Sequence, residues 1–192
     1  VYDSIADVHN AVVRHAKKLL RMMNRNKRYR YARKHYGMAN EAITKAETAV
    51  SDLKKELESL NGTKERDRKR EIRDRIMAKK AEITFLKPEM KRFSGEMNEV
   101  RKSLCLTKND LERYASYFTK KYKGVLNSQQ IQVEADRVWA GVERVLFGNG
   151  KDVHFKKYRD FQTIRGKQNT TGIRFCKETL SINWNGHVIP VA

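Results

Sequence analysis

The chain has 192 residues, room for one large domain or two small ones. With 39% hydrophobic against 34% charged residues and a mean hydropathy of −0.80, it excludes a large apolar sphere and suits long, polar-faced helices. Its 42 Lys and Arg against 23 Asp and Glu give a net charge of +19 and a pI near 10.0, and such a body repels itself unless an anionic partner neutralises it.

Nucleic acid is the commonest such partner, because each phosphate contact releases condensed counterions. An anionic membrane would ask for a basic amphipathic helix with Trp, Phe or Leu on its apolar face, or a lipid signal; neither reads in this sequence. No apolar run approaches the roughly 20 residues of a membrane span, and no signal peptide opens the chain. Cys105 and Cys176 stand far apart, in no zinc-ligand spacing, so no structural zinc site is encoded. Unpaired thiols in a disulfide-poor basic chain suit a reducing compartment, and the expected location is cytoplasmic. The chain opens at Val1 without Met and ends on strand-like residues, which reads as part of a longer protein.

Asp3 or Ser4 can cap a first helix. Ile5, Val8, Val12, Ala16, Leu19, Leu20 and Met23 recur every three or four residues and carry it to about Asn24. A second, short basic helix is expected from Lys27 to Tyr36, with Gly37 as its stop. From Asn40, Ile43, Ala46, Val50, Leu53, Leu57 and Leu60 step by three and four, the seam of a coiled coil. Asn61-Gly62 is a turn dipeptide. A return arm follows from about Thr63, with Ile72, Ile76, Ile83 and Leu86 on one face. Residues 40–60 lean acidic and 61–80 lean basic, which favours an antiparallel helical hairpin over about 40–87. Pro88 is expected to kink or end the return arm, with a less periodic helix over about 91–104.

Thr107 to Asp110 resembles a capping box and opens a helix bearing Leu111, Tyr114, Phe118 and Tyr122, ending near Gly124. Asn127 or Ser128 caps the next. Ile131, Ala135, Val138, Trp139, Val142, Val145 and Leu146 give it the most core-like face in the chain, and Gly148 ends it. After Gly150 the period changes. Val153–Phe155, Gly172–Cys176, Leu180–Trp184 and Val188–Val191 read as strands, with Asn185-Gly186 as a hairpin turn. The fold class is α+β, mostly α. A helical region over 1–150 is followed by a small antiparallel β region over 151–192.

Phosphate binding needs clustered, uncompensated positive charge, and aromatics can stack on bases or sugars. From Val8 to Asn40 every Asp or Glu is missing, while Arg14, Lys17, Lys18, Arg21, Arg25, Lys27, Arg28, Arg30, Arg33 and Lys34 crowd the run. Tyr29, Tyr31, His35 and Tyr36 are interleaved. A solvated helix face is the ordinary alternative, but such faces mix both signs. Lys120, Lys121 and Lys123 form a second candidate group, though cations before a helix-ending Gly also complement the helix dipole. Lys156, Lys157, Arg165 and Lys167 lie among Phe155, Tyr158 and Phe161 in the β region, a third basic patch with rings. No set of carboxylates or histidines has the spacing of a catalytic or metal site, and no phosphate-loop or nucleophile-elbow motif is present, so these residues are expected to bind and not to catalyse.

Leu126-Asn127-Ser128-Gln129, Arg137-Val138-Trp139, Leu146-Phe147-Gly148 and Val153-His154-Phe155-Lys156-Lys157-Tyr158 form a connected pattern. It continues with Phe161, Ile164-Arg165-Gly166-Lys167, Asn169, Gly172-Ile173, Trp184-Asn185-Gly186 and Ile189-Pro190-Val191. It resembles the N-terminal half of the TnpB-type transposon-associated RNA-guided DNA nucleases, relatives of the type V CRISPR effectors. The resemblance covers 126–191 and extends weakly to the first helix; the hairpin of 40–87 is generic and adds little to it. It implies a helical recognition lobe over most of 1–150 and part of a wedge-like β-barrel over 151–192. The implied partners are a guide RNA and its heteroduplex with target DNA, read by duplex shape and backbone. The family's RuvC-like nuclease domain, with its magnesium, and its zinc motif have no counterpart in these residues. The barrel's first strand also lacks one, so binding carries over and cleavage does not. Two other readings stand beside this one: a coiled-coil scaffold whose basic faces meet an acidic protein, and a DNA-binding repressor that does not cleave.

Overall fold

The computed structural model describes residues 1–60, 65–161, 163–167, 172–184 and 186–191. The protein is mostly α-helical with a small antiparallel sheet. Its helices are α1 (Tyr2–Arg25), α2 (Lys27–Ser59), α3 (Arg66–Ser103), α4 (Lys108–Ser116), α5 (Phe118–Lys121) and α6 (Ser128–Leu146). Three strands follow, β1 (Arg174–Cys176), β2 (Ser181–Trp184) and β3 (His187–Pro190). The chain divides into two compact units. One comprises Val1–Met22 with Lys102–Ala192, the other Met23–Arg101.

In the first unit α1 buries Ile5, Val8, Val12, Val13 and Ala16. Side-chain bonds tie α1 to the later elements. The Tyr122 hydroxyl donates to Asp7 at 2.8 Å, and His15 stacks on Tyr114 with ring centres 4.0 Å apart. Buried His9 meets buried Glu134 at 3.1 Å. The Thr107 hydroxyl accepts from the Asp110 N–H and starts α4, which breaks at Tyr117 before the single turn of α5, earlier than the sequence pattern implies. Asn127 and Gln130 form a reciprocal capping box on α6. Ile131, Ala135, Val138 and Val142 are its buried ridge, and Gly148, at φ 81°, leads the chain away.

The expected strand at Val153–Phe155 does not form; the described backbone there is irregular. Side-chain bonds hold the backbone on either side of His154 and Phe155 instead. The Val153 N–H donates to the Asp152 carboxylate at 2.8 Å. Asn10 of α1 clamps Lys156 from both sides, donating to its carbonyl at 2.8 Å and accepting from its N–H at 2.9 Å. Buried Val153 packs so close to α6 that a Cβ on Gly141 would lie 3.3 Å from it. The three real strands form a sheet in the order β1-β2-β3. Phe175 pairs with Ile182 and Ile182 with Ile189, and Trp184 faces His187 across the hairpin. Gly186, at φ 84°, takes the left-handed conformation that its turn requires; Asn185 lies outside the described residues.

In the second unit α2 and α3 form an antiparallel pair. Ile43 and Ala46 pack with Ile83, Leu86 and Met90, and Val50 with Ile72 and Ile76, flanked by Leu53, Leu57 and Leu60. Early positions on α2 meet late positions on α3, as a hairpin demands; the Asn61-Gly62 turn and Thr63 lie outside the described residues. Two expected breaks are absent. Gly37 does not end a helix, because α2 runs through it to Ser59. Tyr29, Ala32, Tyr36, Ala39, Ile43, Ala46 and Val50 keep a step of three and four beneath it, and packing along that seam outweighs the roughly 1 kcal/mol that a mid-helix Gly costs. Nor does Pro88 end α3. Pro88 and Thr84 are both exposed, so water can take the carbonyl at 84 that the missing N–H leaves unpaired. The seam of Ile83, Leu86, Met90, Phe93 and Val100 continues past it.

Candidate nucleic-acid interface

On α1 the side opposite the apolar ridge carries Arg14, Lys18 and Arg21, spaced by four and three. At 100° per residue these three fall within about 60° of arc, one row along the helix. All three are exposed and have no ion pair among the described residues. Arg25, exposed at the helix end, continues the four-residue step. Lys17, from the same run, does different work. It pairs with Asp152 at 2.5 Å and lies over the Phe155 ring, fastening α1 to the irregular segment.

α2 begins at Asn26, whose side chain accepts from the Tyr29 N–H at 3.1 Å. The first turns hold Lys27, Arg30 and Lys34 on one exposed side, with the Tyr31 ring 57% exposed among them. The rings of Tyr31, His35 and buried Phe93 form a contiguous group, so the Tyr31 face is presented from a packed base, as a stacking platform needs to be. Arg33 is exposed. It also pulls down the phenol of buried Tyr29, which burial pushes up more strongly. Arg28 turns the other way and pairs with Glu99 at 2.6 Å and more loosely with Glu96, so it fastens α2 to α3.

The first unit also contains an open groove of about 470 Å³ between α6 and the segment 156–165. Arg137, Arg144, Lys156 and Arg165 line it, with Asp160 as its one carboxylate among the described residues. Asp160 is occupied by the Lys157 N–H at 2.7 Å. Arg137 is held by Glu134 at 2.5 Å and by the Thr163 carbonyl, and it and Lys156 both sit over the ring of buried Phe161. The sequence singled out Lys156 and Arg165 but not Arg137 and Arg144. Their spacing of seven residues, two turns on one side of a helix, was the available signal.

The remaining candidates scatter. Lys120 and Lys123 are exposed around the end of α5. Lys121 lies over the Tyr122 ring, and its hydrogen bond to that phenol, aided by the charge of Asp7, raises its ammonium above the usual lysine range. Lys167 bridges Glu112 at 3.0 Å and Asp136 at 3.8 Å. Lys157 lines a shallow depression with Asp3, Asp7 and Arg159, a mixed-charge surface. Among the described residues no group of His, Cys, Asp and Glu gathers to hold a metal ion, and no helix is long and apolar enough to cross a membrane. Compared with known proteins, the chain matches no family model, no curated protein and no solved structure.

Proposed function

We propose that this chain binds nucleic acid through its phosphate backbone, as the N-terminal portion of a TnpB-type RNA-guided endonuclease that holds a guide RNA and its heteroduplex with target DNA. The observation that carries the reading is the exposed cations on α1 and, separately, on the first turns of α2, which have no ion pair among the described residues and lie opposite buried apolar ridges. Arginines and lysines that serve the fold alone take carboxylate partners, as Lys17, Arg28 and Lys167 do. Those exposed cations do not, and phosphates would relieve their repulsion. The groove offers the guanidinium forks of Arg137, Arg144 and Arg165, a geometry that suits phosphate oxygens, and the ammonium charge of Lys156. On this reading, cleavage and its magnesium belong to the nuclease domain of such proteins and not to these residues.

The scaffold alternative needs the α2 seam free for another chain. That seam is filled by α3 of the same chain, which favours binding over self-assembly. The test is affinity for a guide-like structured RNA, a matched RNA–DNA heteroduplex and duplex DNA at two salt concentrations. Preference for RNA or heteroduplex, weakening steeply with salt, supports the proposal. Sequence-selective binding to duplex DNA without RNA would move the repressor reading ahead, and no binding at all would refute a nucleic-acid role.

A further inference from the structure

α3 carries a feature that the basic run does not include. Arg66, Arg70, Arg73, Lys80, Lys87 and Lys91 are all exposed, and with Met77 and Thr84 they keep an unbroken step of four and three along the helix. At 100° per residue they occupy about 100° of arc. The carboxylates of the same stretch, Asp67, Glu71, Asp74, Glu82 and Glu89, fall on a separate side. The core side, with Ile72, Ile76 and Ile83, is a third. Charges mixed at random along a helix would pair at i,i+4. Lys79 and Arg92, which lie off the row, do pair, with Glu82 and Glu96. The six cations of the row have no ion pair among the described residues. Glu47 of α2 lines the same shallow groove as Lys80 and Lys87 and pairs with neither.

We infer that this row is a second nucleic-acid surface, a rail that grips the backbone of a duplex; the inference rests on the proposed nucleic-acid function. Two features select a duplex over a single strand. First, the row contains no aromatic side chain, so it offers no stacking platform for the bases that a single strand exposes. Second, it is long: 25 residues at 1.5 Å each make about 38 Å, close to one turn of double helix. Backbone contacts alone carry no sequence information, so the rail adds affinity and orientation.

The test uses the full chain with Arg73→Gln, Lys80→Gln, Lys87→Gln and Lys91→Gln combined, a fluorescent DNA duplex of about two turns, and an oligo-dT strand of equal length, each titrated across a salt series. All four sites are exposed, so helicity and melting temperature should match the parent. Removing four phosphate contacts should flatten the slope of log affinity against log salt by about 3 to 4 for the duplex, and leave oligo-dT nearly unchanged. An unaltered duplex slope overturns the rail. Equal losses on both probes also overturn it, because the row would then be a general cationic surface. If the parent chain binds neither probe nor structured RNA, it is the proposed function that fails. If the parent binds and the variant matches it, only the rail fails.

Discussion

Glu134 holds the first unit together at the point where its fold and its basic groove meet, so Glu134→Ala tests both. The carboxylate is 3% exposed and lies between His9, also 3% exposed, at 3.1 Å and Arg137 at 2.5 Å. Truncation leaves two polar groups facing a small cavity. An unsatisfied buried donor costs about 1–3 kcal/mol. Arg137 is part-exposed and keeps the Thr163 carbonyl, so its share is small. The expected loss is therefore about 2–4 kcal/mol, below the ceiling for breaking a fully buried pair. His9→Phe with Glu134→Leu removes the buried pair, and should recover much of that loss because only Arg137, part-exposed and still bonded to the Thr163 carbonyl, is left without its carboxylate. Urea unfolding followed by circular dichroism measures both. A cost under about 1 kcal/mol for Glu134→Ala, or strict additivity in the double variant, would refute the view that this contact is a desolvated joint.

Gly37→Ala should stabilise α2 by about 0.5–1 kcal/mol, seen as a rise in melting temperature, because a Cβ there meets nothing within 4 Å and the residue is mid-helix. Ile72→Ala, at a residue 2% exposed in the centre of the hairpin seam, should cost about 2–4 kcal/mol and increase protease cleavage within the hairpin; cleavage at the parent rate would remove it from the core. Burial, and then the charge of Lys18, hold the His15 imidazole below its ordinary value of 6.5. The unfolded chain then binds the proton first, so stability should fall as pH drops from 6.5 to the depressed folded value and level off below it. His15→Gln should flatten that part of the profile, and an unchanged profile would show that His15 does not set it.

Much of the helical framework was legible because its signals are local. The ridge of α1, the Thr107 cap and the Asn127 capping box each lie within a turn or two of sequence. The stop at Gly37, and an end at Pro88 as one of the two outcomes expected there, were read from a local breaker without the seam beneath it. Tyr29 through Val50 and Ile72 through Val100 both keep their three-and-four step across the supposed stop. Val153–Phe155 alternates like a strand, but nothing in the sequence says that Asn10, 146 residues from Lys156, will hold the backbone of that next residue. The candidate site divides in the same way. The basic run was visible as composition, whereas its separation into working cations and fold-fastening ones depends on distant carboxylates. Asp152 claims Lys17, Glu99 claims Arg28, and Glu112 with Asp136 claims Lys167.

That division sharpens what the +19 charge means. Several cations take a nearby carboxylate, as Lys17, Arg28 and Lys167 do, and exposed pairs of this kind contribute at most about 1 kcal/mol each. The cations left over are not spread evenly. Many of them line up on one side of α1, on the first turns of α2 and along one flank of α3, and others gather in the groove beside α6. Aligned like charges repel, and folding alone gains nothing from collecting them into rows. A helix that needed only solubility would be better served by the i,i+3 and i,i+4 pairs that α3 makes elsewhere, Lys79 with Glu82 and Arg92 with Glu96. Rows of unpaired cations on rigid helices match a polymer of regularly spaced negative charge, whose binding recovers the repulsion through counterion release. The rows, more than the net charge, are what the proposal of a nucleic-acid partner rests on.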